Sequence, residues 1–305
     1  MRLDEDKGLG AASRQHVAVM ADEVVALVRA SRPMVVVDAT VGTGGHAQRL
    51  LEETDAHLLG IDRDADALTV AASRLARFGS RVTLRQADFR ELGAVLEQSG
   101  TPCVGAIVAD LGMSSFALDD PARGFSFRTT GPLDMRMDQR QRLRASDLLN
   151  EESEAELARI IHDYGEERAA RRIARAIVEA RRRRPLETTD DLRGIVERVL
   201  GGRHGAINPA TRTFQAIRIA VNHEMESLSC LLDDAPGRLA VGGRMVVLAY
   251  HSLEDRPVKE TFRALVRGGG FAAVTRKAMR PSAEEASVNR RARSARLRCV
   301  ERVAQ

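Results

Sequence analysis

The sequence predicts an α/β fold, a doubly wound parallel sheet interrupted by an inserted α-helical subdomain. Three observations carry that expectation. Short β-branched runs alternate with helix-like stretches through the first 110 residues, helical patterns alone occupy the next hundred, and strand-like runs return after residue 240. Regular strand-helix alternation is the signature of parallel strands whose two faces are covered by crossover helices.

In order, the strand-sized runs are Val35 to Asp38, Leu58 to Asp62, Val82 to Asp88, Ala106 to Asp110 and, much later, Arg244 to Tyr250. Gln48 to Glu53, Ala65 to Phe78 and Leu92 to Glu97 lie between the first four and read as helices. From about Met113 to Arg212, helical spacing recurs in Ala155 to His162, Glu166 to Arg183 and Asp190 to Leu200. Pro185 ends the second of these, and Thr188, Thr189 and Asp190 can cap the third. Phe271 to Lys277 and Arg296 to Val303 would extend the sheet as an antiparallel edge. The expected organisation is a discontinuous Rossmann-like domain, 1–112 plus 213–305, completed on both sides of a helical insert at 113–212.

A length of 305 residues agrees with two units. Its 44% hydrophobic and 30% charged content, with both signs present, describes a chain that folds around a core and stays in solution. The net charge of +4 conceals an asymmetry: between Arg276 and Arg302 nine Lys or Arg face three acids, which leaves the remainder slightly acidic. Such a focused basic segment fits a polyanionic partner, or else a solvated tail. Cys103, Cys230 and Cys299 are odd in number and far apart, so they suggest neither a disulfide framework nor a zinc site, and they suit a reducing cytosol. Met1 to Lys7 is charged with no apolar run behind it, and no stretch reaches the length of a membrane span. A cytoplasmic protein without membrane attachment is expected.

The sharpest local signal is Asp38-Ala39-Thr40-Val41-Gly42-Thr43-Gly44-Gly45-His46, directly after the first strand. Gly42, Gly44 and Gly45 allow a tight turn and close backbone approach of a ligand, and the helix that follows offers unpaired N–H groups. The same residues fit the glycine pattern of a dinucleotide site, with Asp62 falling where a ribose-binding acid is expected. Asp38 argues against that rival: a carboxylate beside the turn opposes a pyrophosphate but welcomes a sulfonium and an α-amino group. Asp62 would accept from both ribose hydroxyls, Asp88 would meet an adenine amino group, and Phe89 would lie against the ring. Asp110 closes the fourth strand, so four successive strands end in acids at the sheet edge where open α/β folds bind ligands.

These residues lie within longer blocks: DATVGTGGH (38–46), GIDRD (60–64), DLGMSS (110–115), RGFSF (123–127), PLDMRM (132–137), YGEER (164–168), NPATRTFQAIRIAVN (208–222), HSLEDR (251–256) and NRRARSARLR (289–298). In this order they resemble the bacterial RsmH (MraW) family, with the match running from His16 to Arg302. The resemblance implies a class I methyltransferase fold with a helical insert for substrate recognition, and S-adenosylmethionine as cofactor. It further implies methylation of N4 of a cytidine in the decoding region of 16S ribosomal RNA within the small subunit. Position by position, it places Gly44, Gly45, His46, Asp62, Phe89 and Asp110 around the cofactor. Ala117 stands where the family usually has a glutamine near the cofactor, and Ala18 where it usually has a proline. The oligomeric state, monomer or homodimer, stays open.

A cytosine amino group is a poor nucleophile because its lone pair is delocalised, so an acceptor near its hydrogens would help. Many amino-methyltransferases use an Asn or Asp followed by two prolines, a tetrapeptide missing here. Asp110 occupies the corresponding place, as that acceptor or as a cofactor contact, with Ser114 and Ser115 in support. His251 follows the fifth strand at the same edge and would touch the base or a phosphate, or be structural. Asp134 and Arg136 are either a buried ion pair or substrate contacts. With no Trp and two Tyr, RNA recognition would lean on arginine, with Phe125 and Phe127 as stacking candidates or core residues. Arg290, Arg291 and Arg293, with Arg296 and Arg298, would contact phosphates, unless the last two belong to an ordinary edge strand.

Overall fold

The computed structural model describes residues 18–202 and 208–304; the charged N-terminus and His16 lie outside them. Seven strands form one sheet: β1 (Val35–Asp38), β2 (His57–Asp62), β3 (Val82–Gln86), β4 (Val104–Asp110), β5 (Leu239–Ala249), β6 (Phe271–Ala273) and β7 (Arg296–Arg302). Their order is β3-β2-β1-β4-β5-β7-β6. β1 to β5 run parallel, while β7 is antiparallel to both β5 and β6, so the expected antiparallel edge is present. β6 is shorter than the sequence suggests, and β3 stops at Gln86 because Asp88 turns out to cap the next helical turn.

The central parallel strands β1, β2 and β4 are apolar on both faces, as burial between two helical layers requires, whereas the edge strand β3 is not. Alternation along them divides the core. Val36, Ala106, Val108, Val246 and Leu248 pack with Val24 and Val28 of α1 (Ala21–Ala30), Leu50 of α2 (Gly45–Glu53) and Leu75 of α3 (Ala65–Leu75). Val37, Ile107, Met245 and Val247 face the opposite layer, which begins with Leu92 and Leu96 of α4 (Leu92–Gln98). A one-residue slip in register would exchange the two sets.

After β4 the chain leaves the sheet for α5 (Ser115–Asp119), α6 (Ala145–Glu151), α7 (Glu154–Gly165), α8 (Ala170–Arg181), α9 (Thr189–Leu200) and α10 (Ala210–Val221). These helices have their own core, which includes Leu149, Leu157, Ile161, Ile173 and Leu192. Thr188 caps α9 through the Asp191 N–H, and Asp191 reciprocates on the Thr188 N–H. α8 starts at Ala170, not at Glu166, because Glu166 adopts positive φ at the end of α7 and Glu167 turns its carboxylate to the Ala169 N–H. A boundary at residue 212 would cut α10, whose Phe214, Ile217 and Val221 lie in the insert's core. The chain then returns through α11 (Glu224–Asp234), whose Leu228 and Leu231 join the second sheet layer, before β5. α12 (Ser252–Arg267) and α13 (Ala283–Val288) complete the described elements.

Two arginines tie insert to sheet. Arg123, buried to 4% exposure, donates to Asp64 Oδ2 at 2.9 Å and to the carbonyls of Arg136 and Met137. Arg63, immediately beyond β2, donates to the Asn222 carbonyl at the end of α10. The loop after β2 is therefore held from the insert side.

Candidate active site

At the carboxyl ends of β1, β2, β4 and β5 lies a cleft of about 370 Å³, where open parallel sheets place their ligands. Its floor is the turn after β1. Gly42 and Gly44 have φ of +51° and +83°, a region costly for any residue with a Cβ. The Val41 N–H bonds the Ile61 carbonyl at 2.9 Å, and the Gly42 N–H bonds Asp62 Oδ2 at 2.8 Å, so the turn is fastened to β2. Thr40 fastens it to β4, its Oγ1 accepting from the Asp110 N–H at 2.7 Å. Thr40 escaped the sequence reading because a threonine in a turn carries no distinguishing pattern.

Asp62 lines the cleft. One oxygen accepts from Gly42 and the other from the Asp64 N–H at 2.9 Å, which leaves lone pairs on both for a diol. Burial raises its pKa against these backbone hydrogen bonds. Asp110 also lines the cleft, with Oδ1 accepting from the Gly112 N–H at 3.2 Å and the Tyr250 hydroxyl against it. Burial and the facing Asp110 push the Tyr250 hydroxyl far up, so it stays a donor. His46 takes a buried place between the Val19 carbonyl, 2.9 Å from Nε2, and Asp110 Oδ2, 3.7 Å from Nδ1.

Two expected contacts lie behind the wall. Asp38 is only 2% exposed and sits beneath the turn, not on the cleft surface; burial raises its pKa to about 7 against the pull of His46. Gly44 faces Leu75 and Ala71 of α3, so it shapes the turn from behind. Asp88 does reach the cleft, but its oxygens accept from the Arg90 N–H at 3.0 Å and the Ser227 hydroxyl at 3.1 Å. Phe89 beside it is a cleft wall, with the Arg63 guanidinium 5.8 Å from the ring centre. Ala117 and Ala18 also line the cleft, making its wall apolar at both positions.

Opposite the glycine turn is a polar wall that the sequence reading missed almost entirely. Arg218 of α10 forms a two-pronged ion pair with Glu224 of α11, both distances 2.8 Å. Burial pulls the Arg218 pKa down, and the two nearby glutamates, Glu224 and Glu254, more than restore it. Glu254 is 3% exposed and accepts from the Tyr250 N–H at 2.7 Å. Its other oxygen lies 3.0 Å from His251 Nε2 but out of line for a hydrogen bond, so neither buried ring nitrogen has a hydrogen-bond partner among the described residues. The available signal was an arginine between Ile217 and Ile219 on a helix otherwise apolar at that face.

Among the expected substrate contacts, Ser114, His251, Arg290 and Arg291 line the cleft; the side chain of Ser115 lies outside the described residues. Arg291 is half-buried, with Asp119, Tyr250 and Asp110 in its field, and its guanidinium makes no ion pair among the described residues. The others lie elsewhere. Phe125 is buried in the insert's core, and Phe127 packs edge-on against Phe214 at 5.0 Å. Arg136 grips Asp134 through Nε and Nη2 at 2.9 and 2.7 Å and bonds the carbonyls of Gln139 and Gln141, which makes the pair a loop brace. Arg293 turns to the Ala286 carbonyl. Arg296 and Arg298 both bond Asp255 of α12, so their charges are already met within the chain.

Comparison with known proteins gives the same arrangement a lineage. The MraW methylase family is matched over residues 13–303. The chain is 48% identical over 290 residues to the ribosomal RNA small subunit methyltransferase H of Sorangium cellulosum, covering 95% of this chain and 91% of that protein. It is 46% identical over 311 residues to the protein of the same name from Cutibacterium acnes, covering 94% and 92%. Identity at this level over nearly the full length of both partners means that the chain belongs to the MraW methylase family.

Proposed function

We propose that the protein transfers the methyl group of S-adenosylmethionine to the N4 amino group of a cytidine in the decoding region of 16S ribosomal RNA, acting in the cytoplasm on the small ribosomal subunit. The observation that carries this reading is the acid-lined cleft: Asp62 and Asp110 flank a glycine turn and, among the described residues, no ion pair with an Arg or Lys meets either one. Such a cleft suits a cationic ligand with a ribose. It suits the pyrophosphate of a nicotinamide cofactor poorly, because anionic oxygens beside the glycine turn would face the carboxylates of Asp62 and Asp110.

The donor set fits the cofactor. Asp62 would hold the ribose hydroxyls, Phe89 the adenine face, and the backbone after Gly42 the methionine end. Asp110 sits where strand four meets the turn, and its hydrogen bonds from Gly112 and Tyr250 suit it to fixing the cofactor's charged end. The bound cofactor supplies an electrophilic methyl carbon. The chain positions the amino group in line with that carbon and keeps water out, which is most of what an in-line displacement requires. The helical insert would present the RNA, and Arg290 and Arg291 at the cleft mouth would meet its phosphates.

Two measurements test the reading. Calorimetric titration should give tight binding of S-adenosylmethionine and none of NAD. Tritiated methyl transfer should appear on purified small subunits or their RNA, and nuclease digestion should place the label in N4-methylcytidine. Label in another nucleoside, or none, would overturn it.

A further inference from the structure

We propose that His251 accepts the proton released by the target amino group, and that Glu254 is the positioning residue that fixes its tautomer. This rests on the amino-methylation reading above. His251 and Glu254 both line the cleft, at the carboxyl end of β5 beside Asp110 and Tyr250. Both ring nitrogens are buried and neither has a hydrogen-bond partner among the described residues. A buried imidazole is ordinarily satisfied by its own fold, as His46 is by the Val19 carbonyl. His251 is not, and it lines the cleft from which a partner would arrive.

Glu254 determines which nitrogen is open. Its Oε2 is held by the Tyr250 N–H, and its Oε1 lies 3.0 Å from His251 Nε2. A small rotation of the ring lines Nε2–H up with Oε1 and leaves Nδ1 as an unshared acceptor. A carboxylate behind an imidazole both selects the tautomer and stabilises the imidazolium that forms on protonation. Arg218 holds Glu224 and lies in the field of Glu254, which keeps this wall in place from the insert side. Asp110 is the weaker candidate, because its oxygens already accept from Gly112 and Tyr250 and face His46.

The step balances as follows. The amino nitrogen donates its lone pair to the methyl carbon as the carbon–sulfur bond breaks, and that bond's electrons stay on sulfur. One amino proton passes to Nδ1 of His251, the nitrogen regains its lone pair, and the imidazolium returns the proton to water once product leaves. A general base of this kind contributes about 100-fold to 10,000-fold.

The test uses the full chain with small-subunit RNA. In His251→Ala, single-turnover methylation at saturating cofactor and RNA should fall at least about 100-fold, with both dissociation constants within about threefold of wild type, and added imidazole should restore part of the rate. In Glu254→Gln the rate should fall less, and ¹⁵N-histidine spectra of the protein without substrate should show the Nδ1-acceptor tautomer of His251 lost. A His251→Ala rate within threefold of wild type would overturn the inference. So would a loss explained by weaker binding alone, or one that imidazole leaves untouched. Should the alanine variant fail to fold, His251→Asn takes its place under the same criteria. If wild-type protein forms no N4-methylcytidine, the failure belongs to the proposed function and not to His251.

Discussion

Acids at the strand ends around the glycine turn and acids in the insert meet opposite fates. Asp38 and Asp62 at the strand ends have no ion pair to an arginine among the described residues, and desolvation carries their pKa values upward. Asp134 and Asp138 in the insert also suffer burial, but the forks of Arg136 and Arg140 outweigh it and hold both carboxyls below the usual range. Asp255 behind β7 follows the second pattern through Arg296 and Arg298. The insert uses charge to brace loops, whereas Asp62 and Asp110 beside the glycine turn meet no Arg or Lys ion pair among the described residues. An acid beside an arginine in sequence is therefore no guide to function until its partner is known.

The largest effect should come from breaking the cleft side. Asp62→Ala removes the expected ribose acceptor and also frees the Gly42 N–H, so S-adenosylmethionine affinity measured by calorimetry should fall more than about 100-fold, as expected for two hydrogen bonds to a charged group. Near-wild-type affinity would refute the pocket assignment.

On the bracing side, Arg123→Ala strands the buried Asp64 carboxylate and should cost roughly 3–5 kcal/mol in denaturant unfolding. A loss under about 1 kcal/mol would mean that the link between insert and sheet is not a structural brace.

Asp38 sharpens the comparison through pH. Its folded-state pKa of about 7 lies above the ordinary 3.8, so between those values the folded form binds more protons than the unfolded form. Stability attributable to Asp38 should therefore be greatest below about pH 4 and decline as pH rises through 7, opposite in sign to Asp134 and Asp255. In Asp38→Asn, the difference from wild type across pH 4 to 7 should show that slope removed, and an unchanged profile would contradict the assignment.

The smallest effect distinguishes free from engaged arginines. Replacing Arg290 and Arg291 by alanine should lower the slope of log affinity for RNA against log salt by about 1.4, at about 0.7 per phosphate on a single strand. Replacing Arg296 and Arg298 should leave that slope unchanged and lower the melting temperature, because their charges are committed to Asp255.

Periodicity made the sheet legible: runs such as Val35 to Asp38 and Ala106 to Asp110 are short, β-branched and apolar on both faces, a pattern few alternatives fit. The helical insert was legible for the same reason, but its end was not, since α10 continues the helical pattern past residue 212 without a break. In the cleft, the glycine turn and Asp62 could be read because their spacing from one another is local to adjacent strands. Glu224 and Glu254 could not: Arg218 and His251 are only six and three residues from them, but the four form one wall of the cleft only where α10, α11 and α12 converge.

The sequence by itself determined the layered α/β architecture, the insertion and the position of the glycine turn, because each depends on residues close along the chain. Only the tertiary structure decided that Phe125 is core and Phe127 packs against it, that Arg296 and Arg298 are engaged, and that both buried ring nitrogens of His251 lack a hydrogen-bond partner among the described residues. The first two outcomes depend on which side chains meet across 40 or more residues, and hydrogen bonding and desolvation act on distance in space and not on distance along the chain.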